Sequence, residues 1–249
     1  ERYLDFGSGE KNKNTENSAV MANNLDWTKP VSALELLRDI GKHFSVNQML
    51  AKDSVASRLS AGGISYTEFS YQVLQALDYL ELFRRNGCKL QIGGSDQWGN
   101  IVAGLELIRK VTGESCHALT VPLLTKADGS KFGKTATGTV WLDPDLTSPY
   151  EFYQYWINTE DADIEKFIKV FSFKSHNEID TLFSEFKENP GARAAQRELA
   201  KELTTLVHGE KNCQQAEAAS KALFGQGEIA NLEATTLASA LSQLPKVSL

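Results

Sequence analysis

The chain is short of the residues that build metal sites and disulfide frameworks. It has three cysteines, Cys88, Cys116 and Cys213, and four histidines, His43, His117, His176 and His208, among 249 residues. The cysteines are odd in number, far apart and form no C-x-x-C pair, which excludes a disulfide scaffold and reads as reduced thiols in a cytosolic protein. The histidines form no H-E-x-x-H or other ligand spacing, so no protein-ligated metal is expected. No apolar run nears the roughly 18 residues that a membrane helix needs, which leaves the membrane out as a partner. Glu1 to Gly9 has neither the basic nor the apolar region of a secretory signal. There is no initiating Met, and the expectation is a fragment or a processed form. Positive charge is also in short supply, with 26 Lys and Arg against 32 Asp and Glu for a net charge of −6. A generally basic, DNA-binding type of protein is thereby excluded, and an RNA partner would have to meet a local patch.

What is present is the balance of a soluble globular protein, with 41% apolar and 23% charged residues. The length suits one large domain or two ordinary ones. Gly7 to Ser18 is polar and aperiodic, a surface loop. Val31, Leu34, Leu37 and Ile40 recur at helical spacing, and a helix is expected from about Tyr66 to Phe83. Cys88 to Ile92 reads as a strand closed by Gly93-Gly94, Asn100 to Lys110 as a helix with Ile101, Leu105 and Ile108 on one face, and Leu119 to Leu124 as a second strand. Strand, helix and strand in that order imply a parallel α/β sheet. After Ser148-Pro149 the pattern turns helical. Ile164, Phe167, Ile168 and Phe171 fit one helix, and Leu199, Leu203, Leu206 and Val207 another, with breaks at Pro190-Gly191 and Gly225-Gln226-Gly227. The expected boundary lies near Thr147, giving an α/β domain over 1–147 and an all-α domain over 148–249.

Three clusters carry chemistry. Tyr71, Gln75 and Asp78 are spaced by four and three, so they share one face of a helix, while Phe69, Val73, Leu77 and Leu80 face a core. A phenol, an amide and a carboxylate together suit an amino acid, with Gln75 and Tyr71 at its ammonium group and Asp78 at a hydroxyl. The same pattern also suits a solvated surface face. The second cluster is Gly93 to Asn100, GGSDQWGN, at the carboxyl end of a parallel strand, where α/β sheets bind ligands. Its glycines permit close backbone approach, Asp96 can hold ribose hydroxyls, and the helix start favours a phosphate; a plain turn would use Asn100 as N-cap. The third is KADGSKFGKT, Lys126 to Thr135. Lys131 and Lys134, with Thr135 beside them, suit a clamp on a polyphosphate, or else an exposed basic hairpin. Gly129 and Gly133 are one residue too close for a P-loop.

FSYQVLQALDYL, QIGGSDQWGN and KADGSKFGKT, in that order, resemble bacterial-type tyrosyl-tRNA synthetases, and KFGKT resembles that family's version of the class I KMSKS signature. NNLDW, LRDIGKHFSVNQML, WLDP, SPYEFYQYWINT and LVHGE extend the resemblance over nearly the whole chain. It implies a Rossmann-like class I catalytic domain followed by an α-helical anticodon-binding domain. It also implies ATP-dependent activation of L-tyrosine to tyrosyl-adenylate and transfer to tRNA(Tyr), with Mg²⁺ accompanying ATP. By the resemblance, Asn24, Tyr71, Gln75, Asp78 and Gln97 bind tyrosine. Gly94 and Asp96 lie around the adenylate ribose, and Lys131, Lys134 and Thr135 stabilise departing pyrophosphate. Tyr66 falls where the family has an aromatic residue at its dimer interface, so a cytoplasmic homodimer is implied.

Such a reaction needs positioning and charge stabilisation instead of a protein nucleophile, and none stands among these residues. The family's HIGH-type motif, its first strand, its other phenol-binding residue and its S4-like domain are not in this sequence. The expectation is therefore the middle of a longer enzyme, inactive by itself. Leu25 stands where NNYDW has Tyr. The rival readings are a tryptophanyl-type synthetase and a non-catalytic, synthetase-derived RNA-binding protein. His176 and His208 are expected to be ordinary helix or surface residues.

Overall fold

Ser65 opens a 21-residue helix, α1 (Tyr66–Asn86). Its hydroxyl accepts the Glu68 amide while the Glu68 carboxylate accepts the Ser65 amide, which satisfies two of the donors left over at a helix start. Gly87 ends the helix at φ 64°, a left-handed conformation that glycine adopts without the steric cost of a Cβ. The buried stripe of α1 is Gln72, Ala76, Leu77, Tyr79 and Leu80. This computed structural model describes residues 4, 6, 18–130, 132–135, 138–223, 229 and 232–242, with backbone alone at Asp53, Ser54, Lys134 and Thr135. Packing divides the chain into two units, Asn14–Leu124 and Thr125–Leu249, the latter together with Glu1–Lys13.

In the first unit, α1 is followed by β1 (Leu90–Gly94), α2 (Trp98–Thr112) and β2 (His117–Val121). The two strands pair in parallel, from Leu90 opposite His117 to Gly94 opposite Val121, as the strand–helix–strand reading expected. β2 stops before Pro122, which has no amide hydrogen for a ladder. The core gathers Ile40, Ala76, Leu77, Tyr79, Leu80, Ala103, Leu107 and Ile108. Each large aliphatic side chain buried here contributes about 1.5–3 kcal/mol. At Gly104 a Cβ would lie 2.8 Å from Tyr79 Cδ1, so glycine lets α1 and α2 approach closely. The Tyr79 hydroxyl then reaches past α2 and donates to the His117 carbonyl at 2.9 Å, tying α1 to β2.

The stretch from Val31 to Ile40 differs from expectation. Helix runs only over Ala33–Glu35 and widens into a π-helical turn over Leu36–Ile40 before the tight turn Gly41–His43. The wider turn shifts the helical period, so Ile40 is buried and Leu36 packs against the core, while Leu34 and Leu37 are exposed. Asn100 is not an N-cap either. A tight turn over Ser95–Gln97 leads into α2, which begins at Trp98.

The second unit holds a short antiparallel pair, β3 (Lys134–Thr135) with β4 (Gly138–Thr139), and then helices. These are α3 (Pro149–Ile157), α4 (Asp161–Phe171), α5 (His176–Glu188), α6 (Ala194–His208), α7 (Glu210–Leu223) and α8 (Ala234–Ser242). Ser148 with Glu151 caps α3, and Ser175 with Glu178 caps α5, by the same reciprocal bonding as at α1. Tyr150, Phe152, Tyr153 and Trp156 of α3 are buried, as are Ile164, Phe167 and Ile168 of α4 and Leu199, Leu203 and Val207 of α6. Leu206 faces solvent instead of joining its expected partners. His208 is buried and edge-on to the Phe152 ring, 4.9 Å between centroids, so it is a packing residue. The break at Pro190-Gly191 is a tight turn, followed by Arg193 at φ 51°; its guanidinium donates to the carbonyls of Ile157 and Thr159 at 2.8 and 2.9 Å. The expected break at 225–227 and the loop at 7–17 lie outside the described residues. The expected boundary at Thr147 falls inside this second unit, because the chain from Thr125 onward packs with the helices.

Candidate functional site

The face of α1 that carries Tyr71, Gln75 and Asp78 is only partly covered. Asp78 is held from the segment before α1: Trp27 Nε1 donates to Asp78 Oδ1 at 2.8 Å, and Asn24 Nδ2 donates to Asp78 Oδ2 at 3.2 Å. Two donors fix the carboxylate plane and leave further lone pairs on each oxygen for a third partner. Trp27 is itself buried, with the Arg85 guanidinium 5.3 Å above its ring. Asn24 and Asp78, both expected site residues, are 54 positions apart in sequence and are brought into contact. Gln75 has its Oε1 buried without a hydrogen-bond partner. A buried acceptor in that state calls for a donor, and an ammonium group is one.

The β1–α2 connection supplies the neighbouring elements. Gln97 Nε2 donates to Asp96 Oδ2 at 3.0 Å, and Asn100 Nδ2 donates to Gln97 Oε1 at 3.4 Å, a chain that orients the Asp96 carboxylate. At Gly94 a Cβ would stand 2.6 Å from Asp96 Oδ1 and 3.0 Å from Leu123 Cδ2, so only glycine leaves room for this placement of Asp96. Tyr71 and Gln97 line one cleft of about 350 Å³ together with Gln72, Asn100 and Lys52. Lys52 reaches the α2 start and donates to the Gly99 carbonyl at 2.7 Å; burial pulls its ammonium below the usual lysine range.

The lysine loop belongs to the second unit. Lys131 lies outside the described residues, and Lys134 and Thr135 are described only as backbone, in β3. Their chemistry therefore rests on the motif. Among the described residues, no cluster of three or more His, Cys, Asp or Glu side chains is gathered as for a metal. Likewise, no helix among them is long and apolar enough to cross a membrane. Sequence reasoning missed Trp27, Gln72 and Lys52. NNLDW was visible as a segment, but nothing in its spacing joins it to a helix half a hundred residues away.

A family model described as tRNA synthetases class I (W and Y) matches residues 2–225. The tyrosine--tRNA ligase of Streptomyces avermitilis is 60% identical over 233 residues, covering 93% of this chain and 55% of that protein. That of Thermobifida fusca is 56% identical over 252 residues, 99% of this chain and 58% of that protein. The chain thus spans somewhat over half the length of the curated relatives it matches. Among solved structures, a C-terminally truncated mitochondrial tyrosyl-tRNA synthetase from Aspergillus nidulans superposes with a TM-score of 0.73 at 32% identity, covering 88% of this chain and 62% of that one. The Rossmann-like, parallel-sheet expectation is borne out by that likeness and by the parallel β1–β2 pair. The chain belongs to the class I tRNA synthetases of the W and Y family.

Proposed function

We propose that the protein to which this chain belongs is a tyrosine--tRNA ligase. The tyrosine carboxylate attacks the α-phosphorus of ATP, the bond from that phosphorus to the bridging oxygen breaks, and pyrophosphate leaves. A ribose hydroxyl at the 3′ end of tRNA(Tyr) then takes the tyrosyl group from the adenylate and AMP departs. The observation that carries this reading is the double hold on Asp78 by Trp27 and Asn24, beside the unpartnered Gln75 acceptor. Asp78 accepts the substrate phenol; Tyr71, Gln75 and Gln97 receive its ammonium group. Gly94 and Asp96 hold the ribose, and Lys131, Lys134 and Thr135 neutralise the departing pyrophosphate. Mg²⁺ enters with ATP as part of the substrate. The helices after Ser148 form the anticodon-binding part, and exposed Tyr66 lies at the interface of a cytoplasmic homodimer.

Tyrosine-dependent exchange of pyrophosphate into ATP by the full-length protein tests the reading. Exchange with tryptophan and not tyrosine would assign the other branch of the family, and exchange with neither would favour a non-catalytic RNA-binding role. Lys134→Ala is expected to slow exchange by orders of magnitude while tyrosine affinity stays within about twofold.

A further inference from the structure

Between Thr125 and Gly133 the lysine loop is fastened to α3 and α4 at four places. Lys166 Nζ donates to the Thr125 carbonyl at 2.7 Å. The amide of Ala127 donates to Asp163 Oδ1 at 2.7 Å. The Phe132 ring lies among Trp156, Phe167 and Phe171, with centroids 5.6, 5.0 and 5.2 Å away. The amide of Gly133 donates to the Tyr155 hydroxyl at 3.3 Å, and burial raises the Tyr155 phenol above its ordinary range.

Asp163 is the unusual member of this set. It is a carboxylate only 3% exposed, on the third residue of α4. An acid in a first helical turn is stabilised by the helix dipole, and an exposed position would have supplied that. Burying it carries a desolvation cost, which is offset only where the charge meets fixed donors. The donor it meets is the backbone at the start of the loop. Phe132 stands in the KFGKT segment itself, between the two lysines in sequence, and four aromatic neighbours locate its ring.

We propose that Asp163 and Phe132 are positioning residues for the lysine loop: Asp163 fixes the loop's start and Phe132 plants its middle in the helical unit. This inference rests on the proposed role of the lysines in adenylate formation. Loosening either anchor lets the ammonium groups sample more space, so less of their charge stands where negative charge develops.

The test uses the full-length protein with Asp163→Ala, Asp163→Asn and Phe132→Ala, plus Phe132→Leu in case loss of the ring prevents folding. Two readouts apply below the melting temperature of each variant: the rate of tryptic cleavage after Lys126, Lys131 and Lys134, and tyrosine-dependent pyrophosphate exchange. Asp163→Ala and Phe132→Ala are expected to raise loop cleavage by about tenfold or more and to lower exchange kcat by a similar factor, with tyrosine KM within twofold. Asp163→Asn retains an oxygen acceptor for Ala127 and is expected to recover most of both. Unchanged loop cleavage, or a folded Phe132→Leu and Asp163→Ala pair with unaltered kcat, overturns the proposal. If the wild type exchanges no pyrophosphate with tyrosine, the functional reading fails instead, and the cleavage rates still decide whether the two residues hold the loop.

Discussion

Trp27 donates its indole hydrogen to Asp78 Oδ1 at 2.8 Å across 51 positions of sequence. The bond is charge-assisted and lies beside the Asn24 amide on the second oxygen, so the carboxylate is held in a single plane. Trp27→Phe keeps an aromatic ring beneath Arg85 and removes that donor together with part of the buried indole. A hydrogen bond to a charged group contributes about 1.5–3 kcal/mol, or roughly 10- to 100-fold in an equilibrium constant. The expected outcome in the full-length protein, on the proposed function, is a tyrosine KM raised by about tenfold with kcat changed little. Equal losses for tyrosine and ATP would show instead that Trp27 supports the fold at large.

Gly94 separates crowding from backbone conformation. Its φ of −71° suits any residue, so Gly94→Ala strains nothing in the main chain. The added Cβ meets Asp96 Oδ1 at 2.6 Å and displaces the carboxylate assigned to the ribose. An ATP KM raised by roughly tenfold, with thermal stability nearly unchanged, is the expected result. Gly87→Ala should do the opposite. Its Cβ would meet nothing within 4 Å, but φ is 64°, so about 1–2 kcal/mol of stability is lost without effect on ATP. Steady-state kinetics and thermal melts of the two variants distinguish the effects.

The contrast between these sites shows what a single sequence can disclose. The 3.6-residue period put Leu77 and Leu80 on the core side of α1 and Tyr71, Gln75 and Asp78 on the other, and the structure has them so. Gly93-Gly94, expected to close the strand after Ile92, instead supply its last two paired residues, opposite Thr120 and Val121, and the turn begins at Ser95. Periodicity failed at Leu34 and Leu37, because the π-helical turn at Leu36–Ile40 breaks the repeat on which the reading depends. The grip of Trp27 on Asp78 and of Asp163 on Ala127 left no local trace, since each joins segments distant in sequence. Phe132 read as one more loop residue. Its aromatic surroundings come from two helices downstream, which is also why the loop packs with the second unit.

Tyr79 and Tyr153 predict the alkaline limit. Burial pushes both phenols up to about 12. A folded-state pKa raised above the ordinary 10.0 favours the native state fully below pH 10, and that stabilisation is lost as pH rises toward 12. Among the seven tyrosines, ultraviolet titration should therefore show exposed residues ionising reversibly first. Tyr79 and Tyr153 should follow only with loss of helix signal. Tyr79→Phe removes the bond to the His117 carbonyl and should cost about 1 kcal/mol. If every tyrosine titrates before unfolding, the burial of these two rings is contradicted.

The acid limit rests on helix starts. The Glu68 carboxyl is held below its ordinary value of 4.5, chiefly by the backbone amide of Ser65, then by the Ser65 hydroxyl and the charge of Arg58. Glu178 is lowered in the same direction, first by the Ser175 hydroxyl and then by its amide. A depressed carboxyl pKa stabilises the fold above the unfolded value and loses that contribution as pH falls through the folded one. The contribution of these two carboxyls should accordingly be constant above about pH 5 and decline below 4.5. Ser65→Ala removes one of the bonds that lower Glu68 and the cap on the α1 amide, costing about 1 kcal/mol at neutral pH. Protonation of Glu68 undoes part of the same capping box in the wild type, so the gap between wild type and Ser65→Ala should narrow below pH 4.5. Thermal melts of both proteins across that range measure the gap directly. A gap that stays constant down to full protonation would mean that the Ser65–Glu68 pair does not act as one reciprocal cap.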